Sequence, residues 1–152
     1  MPVVGKPRSY HRKYKFHLEI DEFASGAFQK MSELKGTVAK VETNEGGTEF
    51  PTKRPARVSF SDVTLERGAT KDLDAWNWFK EVVDVVANSG ELDDDYIRQP
   101  ALIQRARDNS ELRRWNMTNA WPCEFVAGEW DNGADENTIE KLVLCYDYFE
   151  LG

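Results

Sequence analysis

The eight residues YKFHLEID, 14–21, alternate without a break. Tyr14, Phe16, Leu18 and Ile20 fall on one side, and Lys15, His17, Glu19 and Asp21 on the other, so a strand here has one buried face and one wet face. Such a strand cannot stand alone, because its apolar face needs a second layer and its backbone needs a neighbouring strand. Short strand signals then continue along the chain. EFASGAFQKMSEL, with Gly26, reads as a turn leading to a second strand at about 37–43. In ARVSFSDVTLERG, 56–68, Val58 and Phe60 share one phase while Val63 and Leu65 share the other, which predicts a strand with a bulge. Further strands are expected at 102–107, 112–118 and 122–128.

The stretch NTIEKLVLCYDYFE, 137–150, fits both periods. Ile139, Leu142, Val143, Tyr146 and Phe149 suit a helix, whereas Leu142, Leu144, Tyr146 and Tyr148 suit a strand; its Val, Cys, Tyr and Phe content assigns it to strand. One segment is clearly helical, with Leu73, Trp76, Phe79, Val83 and Val86 at helical spacing, Thr70 or Asp72 as cap and Gly90 as stop. NEGGTEFPTKRP, 44–55, reads as a long loop, and long ordered loops usually have a task. ELDDDYIRQP, 91–100, reads as an acidic loop ended by Pro100. The pattern predicts a mainly β (α+β) fold: a small β-barrel or two packed antiparallel sheets, with one flanking α-helix.

A chain of 152 residues, 40% hydrophobic and 31% charged, is long enough for one globular domain with its own core. That domain is placed at 14–152, preceded by a basic arm at 1–13. Lys6, Arg8, Arg12, Lys13 and Lys15 all precede the first acid, Glu19. Of the 20 bases, the other 15 face 27 acids, so the remaining chain carries −12 within a net charge of −7. A basic arm on an acidic body could meet nucleic acid, an acidic membrane or the acidic surface of an identical neighbour; a solvated end is the favoured reading. The first 13 residues hold no apolar run of signal-peptide length, and no segment approaches the ~20 apolar residues of a membrane span. Synthesis in the cytosol without a signal peptide is therefore expected. Cys123 and Cys145 are expected to be buried thiols in a reducing compartment, with a disulfide left open, and without a nearby His they are not read as a zinc site.

Residues for catalysis do not come together in the sequence. There is no phosphate-binding glycine motif and no HExxH, and His11 and His17 are the only histidines. Asp93, Asp94 and Asp95 lack the spaced ligands of a calcium loop, and Gly133 in DNGADEN comes too early for one, so both read as solvated turns. Ser25, Ser32, Ser59 and Ser61 have no base partner, and the acceptor-like Asn116-Met117-Thr118 falls inside a predicted strand. The expectation is a protein with no enzymatic activity, cofactor or metal. YHRKYKF interleaves bases with aromatics, but the acidic body argues against nucleic acid. What remains is surface. Trp76, Trp78, Trp115, Trp121 and Trp130 exceed what one small core easily holds, and several strands are apolar on both faces. Part of the cover they need could come from another copy.

The order of FHLEID (16–21), GAFQKMSEL (26–34), VETNEGG (41–47), VTLERGAT (63–70), WNWFKEVV (76–83), RRWNMTNAWPCEF (113–125) and IEKLVLCYDYFE (139–150) resembles the tail tube, or inner tube, family of contractile phages and phage-tail-like contractile injection systems. The resemblance runs from Phe16 to Phe149. It implies a structural subunit forming hexameric rings that stack into a hollow tube and conduct DNA or protein effectors when a sheath contracts. The implied partners are identical copies, the sheath protein, the baseplate hub or tube initiator, the tape measure and tail terminator, and the cargo in the lumen. The implied location is a virion tail or phage-tail-like particle, assembled in the bacterial cytoplasm and released by lysis or retained there.

Residue by residue, Glu45, Gly46 and Gly47 match the opening of a loop that reaches a neighbouring subunit or ring. Asp93, Asp94 and Asp95 lie in a segment longer and more acidic than the family pattern, a candidate contact between rings or with the sheath. Gly68 matches a strand-to-helix junction needing an unusual backbone angle, and Trp76 and Trp78 match the helix, with one face on the barrel. Trp115, Asn119, Trp121 and Pro122 match a packing and turn element, and Glu140 the acid of the last strand. Ranked after the tube reading are a tube-initiator ring of the baseplate, a monomeric ligand-binding β-barrel, and last a hydrolase built from surface carboxylates.

Overall fold

A computed structural model describes residues 16–21, 23, 28–44, 46–47, 49–69, 71–87, 95–133 and 135–152. The basic arm, the Thr70 cap, Gly26 and the Gly90 stop lie outside the described residues. The elements are β1 (Phe16–Glu19), β2 (Lys30–Met31), β3 (Gly36–Thr43), β4 (Thr52–Phe60), β5 (Val63–Gly68), α1 (Asp74–Ala87), β6 (Ala101–Arg105), β7 (Glu111–Thr118), β8 (Trp121–Val126), β9 (Ile139–Cys145) and β10 (Tyr148–Leu151). They form one sheet in the order β1-β6-β7-β10, a second in the order β2-β5-β9-β8, and a separate ribbon of β3 and β4. Every named pairing is antiparallel. The two four-stranded sheets share a core but no hydrogen-bonded border among the described residues, so the fold is two packed sheets and not a closed barrel. Among the described residues no helix is long and apolar enough to cross a membrane.

The central pair of the second sheet shows why the layers form. Along β5, Val63, Leu65 and Arg67 point inward and are buried while Thr64, Glu66 and Gly68 are half-buried. Val63 faces Leu144, Leu65 faces Leu142 and Arg67 faces Glu140. The four aliphatic side chains meet Leu18, Met117, Ala120 and Trp78 in one cluster. On the opposite face Glu66 takes ion pairs from Lys30 at 3.5 Å and Lys141 at 3.4 Å, a polar ladder that suits water.

Three sequence expectations change. The segment 56–68 is not one bulged strand: it breaks at Ser61 and Asp62, with β4 in the ribbon and β5 in the second sheet. The phase change is a change of sheet. The expected loop at 44–55 is shorter, because β4 begins at Thr52 and runs through Pro55. Proline is admitted there because the ribbon has open borders and a register shift lies beside it, between Val38 and Lys40 on the partner strand. The last stretch is strand as expected, but it is two strands, β9 in the second sheet and β10 in the first.

One buried cation ties a sheet to the helix. Arg67 Nε donates to Glu140 on β9 at 3.0 Å, and its Nη2 pairs with Asp74, the first residue of α1. Asp74 also accepts from the Ala75 amide at 2.9 Å, so a carboxylate stands at the positive end of the helix. Burial alone would lower the Arg67 pKa, but the two carboxylates outweigh it and hold the guanidinium above its usual range. Glu140 therefore lies in β9, not in the last strand. Arg67→Ala leaves two inward carboxylates uncompensated and is expected to cost about 3–5 kcal/mol in urea unfolding of the unassembled subunit. The exposed Lys30→Ala is expected to leave the midpoint unchanged.

Candidate assembly surfaces

The ribbon has almost no cover of its own. Every residue of β3 is exposed, as is every residue of β4 before Phe60. Val38, Val41 and Val58 stand 51%, 49% and 57% exposed. A two-stranded ribbon is marginal in water without an apolar partner. Among the described residues it is rooted in the body at one end. There the Phe60 ring meets Phe149 edge-on at 5.2 Å and Tyr146 at 6.3 Å, and Ser61 N donates to Lys35 O at 3.0 Å. Gly46 and Gly47 are at the far turn, where Gly47 takes a positive φ of 98°. Glu45 lies outside the described residues.

The helix carries two apolar stripes. Ala75 and Trp78 are buried, with Val82 and Val85 half-buried behind them. Trp78 has no exposed surface, and its Nε1 donates to Tyr96 O at 2.6 Å. Arg98, also buried, stacks 4.7 Å from the Trp78 ring. The stripe legible in the sequence is the other one: Leu73, Trp76, Val83 and Val86 are exposed, Trp76 by 44%. Trp76 joins Phe79 and Phe125 in a ring cluster at 5.6–6.1 Å. Trp130 is exposed as well, by 76%.

The corner between the sheets falls at 119–120. Asn119 adopts a left-handed φ of 56°, its amide donates to Gln99 Oε1 at 3.0 Å and its Nδ2 to Asp147 Oδ2 at 2.8 Å. Trp115 on β7 meets Phe149 edge-on at 5.8 Å, and Trp121 on β8 meets Tyr96 at 6.4 Å. Pro122 lies inside β8 opposite Leu144, one pair beyond the corner. Gly68 does not supply an unusual angle: the positive-φ glycines among the described residues are Gly47 and Gly128, and Gly68 is ordinary strand paired with Ile139. Asp95 is exposed in a turn, while Asp93 and Asp94 lie outside the described residues.

Sequence reasoning did not single out the buried Arg98 or the group around the cysteines. Cys123 is exposed and Cys145 half-buried, both free, so burial was correctly expected for neither in full. Burial first, then the neighbouring Cys123 and Asp62, push the Cys145 thiol well above its usual range.

These surfaces can be set beside known proteins. A family model described as T4-like virus tail tube protein gp19 matches residues 12–150. The chain belongs to the tail tube protein family. As a member of that family it is a structural tail tube subunit. No curated protein matches the sequence. Solved structures share the tube fold at low identity. A chain from the anti-feeding prophage tube-terminating cap aligns with a TM-score of 0.80 and 16% identity over 100% of this chain and 99% of that one. One from the sheath–tube complex of an extracellular contractile injection system, PVC, aligns at 0.77 and 17%, over 98% and 93%. Hcp1 from Flavobacterium johnsoniae aligns at 0.55 and 15%, over 91% and 95%.

The two helix tryptophans of this tube protein separate core from surface. Trp78→Ala is expected to cost about 3–5 kcal/mol by leaving a cavity. Trp76→Ala, half in water, is expected to cost well under half of that in the same urea titration of the unassembled subunit.

Proposed function

We propose that this chain builds hexameric rings that stack into the hollow tube of a contractile particle, passing DNA or protein effectors when the sheath contracts. The observation that carries this reading is the ribbon. An eight-residue strand paired with a nine-residue strand stands off the body with three valines exposed, a structure that needs apolar cover from a neighbouring copy. The outward stripe of α1 is a second surface of the same kind. Residues 14–152 act as the single tube domain and 1–13 as a basic arm.

The partners in this reading are identical copies first, then sheath, baseplate hub or initiator, tape measure and tail terminator. Structures of similar fold come from a baseplate, a tube-terminating cap and a sheath–tube complex. The subunit works without catalysis: it is a stiff conduit, and the excess acid of the body keeps an acidic cargo from adhering to the wall. A basic lumen in cryo-electron microscopy of assembled tubes would remove the last point.

Negative-stain microscopy and sedimentation of the purified protein test the whole. Rings or rods are expected, and a compact single unit at high concentration would sink the tube reading. Val41→Asp isolates the ribbon's part. Val41 faces Arg54, so the new carboxylate keeps a favourable cross-strand pair while removing apolar surface. Rods are expected to give way to single subunits with thermal unfolding almost unchanged. Rods as abundant as those of the parent would exclude the ribbon as the inter-subunit contact.

A further inference from the structure

The sheet register brings three soft or anionic donors together from distant parts of the chain. Val63 faces Leu144, so the preceding residue, Asp62, comes abreast of Cys145. On the other side of β9, Trp121 faces Cys145, and a register shift between Pro122 and Glu124 makes Cys123 the inserted residue. The Asp62 carboxylate and the two sulfurs lie within 4.8 Å of one another. Cys123 Sγ also reaches Val143 O at 3.5 Å, which fixes its side chain toward β9.

We propose that Asp62, Cys123 and Cys145 bind a divalent zinc-class cation, with water completing a tetrahedral set. The donor chemistry fits: two thiolates and one carboxylate on the outside of a sheet, with Cys123 exposed so that an ion can enter and water can remain. Sulfur atoms of a tetrahedral zinc site stand about 3.8 Å apart, given a Zn–S distance of about 2.3 Å. Both thiols are free, and the third donor of the group, the Asp62 carboxylate, is one that a cation uses and a disulfide does not. Both thiols must ionise beside a carboxylate, which is unfavourable alone and favourable around a cation. Binding releases the two thiol protons to solvent and changes no oxidation state.

The site would act as a clip. Asp62 lies in the two-residue link between β4 and β5, Cys123 on the border strand β8 and Cys145 on β9. A cation there joins the ribbon's root to the border strand of the second sheet. This inference stands apart from the tube reading, since it needs only the fold of one copy.

The test is a Co²⁺ titration of the full-length protein, reduced and stripped of metal, followed by Zn²⁺ competition. Expected are a thiolate-to-cobalt charge-transfer band in the near ultraviolet, tetrahedral visible bands, saturation at one ion per chain, and loss of both on adding Zn²⁺. Cys123→Ser, at an exposed position, is expected to keep the fold by circular dichroism and to weaken binding at least about 100-fold, more than the loss of an outer-shell partner does. Asp62→Asn is expected to shift the visible bands while the thiolate band persists. A titration without a thiolate band overturns the site, as does Cys123→Ser binding Zn²⁺ as tightly as the parent. A Cys123–Cys145 disulfide that survives in protein purified under reducing buffer overturns it equally.

Discussion

An unpaired strand border is a row of amide donors and carbonyl acceptors, and the rest of this molecule is arranged around that constraint. The second sheet blunts both of its borders. β2 is two residues long, and β8 carries Pro122 and a register shift beside it. Either device discourages a stray strand from pairing there. The ribbon is longer and keeps its apolar surface open, yet it is guarded in another way. β4 carries Lys53, Arg54, Pro55 and Arg57 and no acid, so two β4 borders repel one another edge to edge. A subunit that has to stay apart until it meets the growing end of a tube benefits from that combination.

The helix is held in place so that it can present something. Arg67 grips its first residue, and Arg98 lies on the ring of Trp78 with Glu81 3.9 Å away. Both cations also stack on phenylalanines, Arg67 on Phe28 at 5.3 Å and Arg98 on Phe23 at 5.6 Å. Buried charges satisfied on several sides fix geometry more than they add stability. With the inner stripe of α1 locked, the outer stripe of Trp76, Val83 and Val86, with Leu73 just before it, is offered at a set angle. In a tube, where the same contact recurs around every ring, a small wobble in that angle would be repeated at each copy.

The core strands were legible because their period is enforced by burial: Leu18 and Ile20, and Val63 with Leu65, sit where alternation placed them. Only the second half of β4, from Ala56 to Phe60, was legible as strand; residues 52–55 have no core face to enforce alternation, and their charges and Pro55 resemble a loop. The helix was legible as a helix, but periodicity cannot say which of two apolar stripes owns the core. Residues 75, 78, 82 and 85 repeat with the same spacing as 76, 79, 83 and 86, and Trp occurs in both. Gly68 shows the limit of reading an angle from a glycine, since nothing in the sequence distinguishes it from Gly47, where the positive φ does occur. The group at Asp62, Cys123 and Cys145 could not have been read at all, because only register brings those three positions together.

Force on the subunit would pass through the root of the ribbon. The ribbon leaves the body through Lys35–Gly36 on one side and Phe60–Asp62 on the other. A Cβ on Gly36 would come within 3.0 Å of the Phe60 ring, so the glycine lets the two strands close over that ring. Phe60 in turn leans on Phe149 of β10 and Tyr146, which belong to the junction between the two sheets. A load applied to the ribbon by a neighbour therefore reaches both sheets through one aromatic cluster instead of through a flexible linker. Aromatic rings pack with few rotamers to lose, so such a root is stiff for its size. Exposed along its length and packed on rings at its base, the ribbon is built to act as a lever on the body more than as a tether.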